Sequence, residues 1–68
     1  MDSDKLSKAL VALLHNLDCR KEVMMIVLSL LTTERERLSL AYWINKNQQA
    51  TEDQVIEAAK KIKEKASS

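Results

Sequence analysis

The sequence has no glycine, no proline and no phenylalanine, and only one cysteine, one tryptophan, one tyrosine and one histidine among 68 residues. Each shortage removes a class of structure. Tight β-hairpins and phosphate-cradling loops lean on glycine for backbone conformations that other residues resist, so neither is expected. A single cysteine excludes an internal disulfide. One histidine with one cysteine falls short of the three or four ligands a metal site gathers from one chain. The formal net charge of +1 predicts no field strong enough to draw the chain to nucleic acid or an anionic membrane. The most apolar run, Val23–Leu31, is broken by Ser29 and is too short for a membrane span of about 20 residues. Asp2 and Asp4 stand where a secretory leader would carry positive charge, which favours a reduced, cytoplasmic setting.

What remains is rich in leucine, alanine, lysine and glutamate, the residues that form helices most readily. Asp2-Ser3-Asp4 is placed to cap a first helix, followed by an apolar stripe of Leu6, Leu10, Leu13, Leu14 and Leu17 with Ala9 at its edge. His15-Asn16-Leu17-Asp18 reads as the turn, with Asn16 able to take the left-handed conformation that ends helices. A second helix then contains the apolar run, with Asp18 or Cys19 as its cap. At about 100° per residue, Val23, Ile26, Val27 and Leu30 share one face, Met24, Leu28 and Leu31 the next, and Met25 lies further round. A helix apolar on nearly all sides is normally buried.

Thr33-Glu34-Arg35-Glu36 is the strongest local signal. Thr33 and Glu36 have the spacing of a capping box, in which each side chain bonds the other's backbone N–H. The third helix that follows carries two apolar arcs. Leu38, Ala41 and Tyr42 form one, expected to meet the second helix. Leu40, Trp43 and Ile44 form the other, expected to be exposed and to meet a partner. Thr51-Glu52-Asp53-Gln54 repeats the capping spacing after a polar linker. The fourth helix has a thin stripe of Val55, Ala59, Ile62 and Ala66 flanked by Ala58 and Ile56. Its acids (Glu52, Asp53, Glu57) lie at the start and its lysines (Lys60, Lys61, Lys63, Lys65) at the end, complementing the helix dipole.

The predicted fold is therefore all-α: a single domain over residues 1–68, a small bundle of four short helices near 4–16, 19–31, 34–47 and 52–66, with the second at the core and the fourth more loosely attached. A chain this short buries only about 60% of its unfolded surface. With disulfides and metals excluded, self-association is the remaining compensation, and a symmetric homodimer is expected. Its anchors would be Leu40, Trp43, Ile44 and Met25.

His15 and Cys19 are four residues apart, a nucleophile–base combination, but Asp18 is the one candidate orienting group, there is no oxyanion-hole glycine, and so short a chain has little body to build a cleft. Cys19 near a helix start beside Arg20 and Lys21 has features that lower a thiol pKa. No catalytic residue, cofactor or metal site is expected, and the chain reads as a non-enzymatic protein-interaction or regulatory module.

Leu31-Thr32-Thr33-Glu34-Arg35-Glu36-Arg37-Leu38 resembles the opening of the helix-turn-helix region of LuxR-type regulators and sigma factors, where the first helix often begins Leu-Thr-x-Arg-Glu-Arg-Glu. The match covers eight residues, its acid and base order is shifted by one, and no recognition-type helix follows the last one. The resemblance implies an alternative function, a small DNA-binding regulator that would use Arg35, Arg37, Lys60, Lys61, Lys63 and Lys65.

Overall fold

The computed structural model describes the backbone of residues 3–67 and the side chains of residues 5–66. Four helices follow in order: α1 (Ser3–Asn16), α2 (Lys21–Leu30), α3 (Glu34–Lys46) and α4 (Glu52–Ser67). The expected all-α bundle is what forms, with no strand among the described residues. The anticipated cap at Asp2-Ser3-Asp4 lies outside the described side chains.

The helix ends follow local chemistry closely. Thr33 caps α3: its hydroxyl accepts from the Glu36 N–H at 3.2 Å, and the Glu36 carboxylate accepts from the Thr33 N–H at 3.0 Å. Thr51 and Gln54 make the same reciprocal pair at the start of α4, at 3.3 and 2.9 Å. Each box satisfies backbone donors that a helix start otherwise leaves orphaned.

The turn after α1 falls where expected, but Asp18 rather than Asn16 takes the left-handed conformation, with φ 58°. Asn16 stays helical. The Cys19 N–H donates to the Leu14 carbonyl and the Asp18 N–H to the His15 carbonyl, the two bonds of a Schellman motif. Glycine usually fills this position; a chain without one uses aspartate, which tolerates left-handed backbone better than most residues. Leu14 and Cys19, which flank the motif, are both buried in the core. Asp18 is thus committed to ending α1 and does not cap α2. Arg20 is the N-cap of α2 and makes no side-chain cap bond. Its N–H donates instead to Glu52 Oε2 at 2.7 Å, and its Nε to the same oxygen at 3.2 Å, so the first residue of α4 closes the start of α2.

The helices pair in a ring: α1 packs most extensively on α3, α3 on α4, α4 on α2, and α2 touches α1 lightly. One core fills the ring, built from Leu10 and Leu14 of α1, Val23, Met24 and Val27 of α2 with Leu31 just beyond it, Leu40, Ala41 and Ile44 of α3, and Val55, Ala58 and Ala59 of α4. Fully burying a leucine of this kind is worth about 1.5–3 kcal/mol.

This arrangement corrects three expectations. First, α4 is not loosely attached; it is the wall between α2 and α3. Second, α2 is not buried all round. Its inward face is Val23, Met24, Val27 and Leu31, turned by roughly 60° from the expected Val23–Ile26–Val27–Leu30 face, leaving Ile26 and Met25 45% and 61% exposed. Third, the arcs of α3 change places except at Ala41, which is buried as expected. Leu40 and Ile44 are buried, while Leu38 and Tyr42 of the arc expected to face inward are exposed. α3 sits between α1 and α4, and its contact with both of them draws the Leu40–Ile44 side inward.

Candidate functional site

α3 and α4 run antiparallel, and an open furrow follows the seam between them. At one end it widens to a groove of about 820 Å³ lined by Thr33, Arg35, Glu36 and Ser39 of α3 and by Ile62, Lys63, Lys65 and Ala66 of α4. Further along, Trp43 lies level with Ala58 and Lys61, and the wall continues to the other end through Asp53, Gln54 and Glu57. Small residues are part of the furrow's lining, Ala58 buried and Ser39 and Ala66 exposed. Trp43, half-buried in its middle, packs against the core from outside.

Glu36 is the most unusual group here, a carboxylate only 3% exposed. Its Oε1 accepts from the Thr33 N–H and from the Thr33 hydroxyl, at 3.0 and 2.9 Å. Its Oε2 has no hydrogen-bond partner, and Lys63 Nζ stands 3.5 Å away in an ion pair. The Thr33 hydroxyl above all, helped by the Thr33 N–H and the Lys63 charge, holds this carboxyl below its ordinary value of 4.5 against the opposing effect of burial. Glu52 is likewise held below 4.5, chiefly by the Arg20 N–H.

Of the expected partner anchors, Leu40 and Ile44 have essentially no surface left in the single chain. Trp43 stands at the furrow. Met25 is exposed on α2, and lines no part of the furrow. The expected nucleic-acid contacts also separate. Arg37 is turned into the fold: its Nε donates to the Leu31 carbonyl at 2.6 Å, one terminal nitrogen to the Leu28 carbonyl at 3.2 Å, and the other to the Ser7 hydroxyl at 2.6 Å. It closes the C-terminal end of α2 and ties it to α1, a role that periodicity along one helix has no means of revealing. Lys60 is exposed and lies off the furrow. Arg35, Lys61, Lys63 and Lys65 do line it, but Glu36, Asp53, Glu57 and Glu64 line it too, so its charges balance. A phosphate-binding surface instead carries a marked excess of cations.

The Leu31–Leu38 segment that resembles a helix-turn-helix opening holds the Thr33–Glu36 capping box and the Arg37 clasp. Cys19 is buried, and burial, followed by the charges of Glu52 and Asp18, pushes its thiol above the ordinary value of 9.0. The nearby Arg20 and Lys21 do not reverse this. His15 is exposed, and its carbonyl accepts from the Asp18 N–H. Among the described residues no group of three or more His, Cys, Asp and Glu is gathered to hold a metal ion, and no helix is long and apolar enough to cross a membrane.

No known protein family, curated protein or solved structure matches this chain.

Proposed function

We propose that the chain is a non-enzymatic, cytoplasmic interaction module that recognises a helical partner, in the first place a second copy of itself, through the α3–α4 furrow. Trp43 carries this reading. The only tryptophan in the sequence is half-buried at the middle of an open furrow, where a large rigid ring can bury its remaining surface only against another molecule. Such residues dominate protein interfaces because they contribute much contact area for little lost side-chain freedom. The exposed Leu38–Tyr42 pair on α3 and the Met25–Ile26 pair on α2 add apolar surface of the kind that marks interaction faces.

The test is solution mass by light scattering across a dilution series, for the wild type and for Trp43→Ala. The expected result is a wild-type dimer that dissociates on dilution and a variant that stays monomeric with its helix content intact. A variant with the same mass at every concentration would remove Trp43 as the anchor, and a wild type that is monomeric throughout would remove self-association.

A further inference from the structure

The charges along the furrow are ordered as well as balanced. On the flank of α4 that borders the seam, Asp53 and Glu57 come first and Lys61 and Lys65 follow, and all four are exposed. From the spacing of these four residues we infer that α4 pairs antiparallel with α4 of a second copy, about a twofold axis passing beside residues 58–60. This rests on the self-association reading above and specifies its geometry. In this register Asp53 faces the partner's Lys65, and Glu57 faces the partner's Lys61. Symmetry repeats both contacts, so four opposite-charge pairs form from one self-complementary strip. A parallel arrangement would place like charges together, which association strongly disfavours. Trp43 agrees with this placement. It contacts the furrow at the level of Ala58 and Lys61, so the two tryptophans flank the axis and lie at the centre of the contact, where interface anchors concentrate.

Carbodiimide cross-linking of the wild type, followed by mass spectrometry of the dimer band, tests the register directly. Asp53 and Lys65 are 12 positions apart on one helix, roughly 18 Å along its axis, so a zero-length Asp53–Lys65 bond forms only between chains. That cross-link is the expected result. Two charge-altered variants give the second arm. Lys61→Glu with Lys65→Glu, and separately Asp53→Lys with Glu57→Lys, should each raise the dimer dissociation constant by about tenfold or more, and an equimolar mixture of the two should restore dimer as the heterodimer. Where circular dichroism shows that a reversal variant has lost its helices, Lys61→Gln with Lys65→Gln takes its place. A dimer whose cross-links lie elsewhere and whose affinity ignores these substitutions overturns the register but leaves self-association standing. A wild type that is monomeric at every concentration overturns both.

Discussion

Arg37→Ala offers the sharpest test of the fold. The guanidinium donates to two carbonyls at the end of α2 and to one hydroxyl on α1. Hydrogen bonds of this charge-assisted kind contribute about 1.5–3 kcal/mol each when fully shielded. Arg37 is half-buried, so water replaces part of what is lost, and a total near 2–4 kcal/mol is expected. A 68-residue domain has about 3–10 kcal/mol of stability in all, so the variant should lose a large share of it. Urea unfolding followed by helical circular dichroism measures this as a lower midpoint at unchanged slope. Two further variants separate the causes. Arg37→Met keeps the apolar stem and tests packing. Arg37→Lys keeps the charge but lacks the planar fork, and should recover no more than about half of the loss. Arg37→Ala within about 0.5 kcal/mol of the wild type, or Arg37→Lys indistinguishable from it, would refute the clasp. Had Arg37 been a nucleic-acid contact, its removal would leave the urea midpoint where it was.

Four other outcomes follow from the same structure. Asp18→Gly should be more stable than Asp18→Ala by about 1 kcal/mol, because only glycine escapes the cost of left-handed backbone; thermal melts of the two compare them directly. Leu40→Ala should cost about 2–5 kcal/mol and leave little folded protein, whereas Trp43→Ala should keep its helices by circular dichroism; equal losses would put the two residues back on one face. Glu36 and Glu52 both titrate lower in the folded chain than their ordinary 4.5, so their stabilisation is complete above that pH and fades as the pH falls through the lower folded values. Melting temperatures measured downward from pH 7 should therefore drop below about pH 4.5, and the drop should be shallower in Glu36→Gln. Finally, Cys19 should react with a thiol reagent slowly in the native state at pH 8 and quickly in urea; equal rates would contradict its burial.

The helix ends were legible to within about two residues because short-range chemistry sets them. Thr33 with Glu36, and Thr51 with Gln54, each hold their partner's backbone three residues away, and both boxes formed as read. The turn between α1 and α2 was legible too, though not which residue would adopt positive φ. Asn16 and Asp18 are both suited to that role. Asp18 takes it because the turn then places Cys19 beside Leu14 in the core. The furrow was partly legible. Trp43 stood out as the only tryptophan, but the groove beside it is lined by Ser39, Ala58 and Ala66 arriving together from two helices, and no single stretch of sequence displays that.

The sequence by itself determined the class of structure: four helices, their approximate limits, and the capping boxes that start α3 and α4, which are set by contacts three residues apart along the chain. The tertiary structure alone decided which faces turned inward. α3 has apolar residues on two arcs, and periodicity gives no reason to prefer one. Its place between α1 and α4 buries Leu40 and Ile44 and leaves Leu38 and Tyr42 outside. α2 is apolar on most sides, and its contact with α4 selected a face turned away from the one its own pattern favoured. Arg37 looked like a surface cation until the carbonyls of Leu28 and Leu31 and the hydroxyl of Ser7 came within its reach. Burial and long-range hydrogen bonding depend on which elements become neighbours, and that choice is made by the packing of the whole chain.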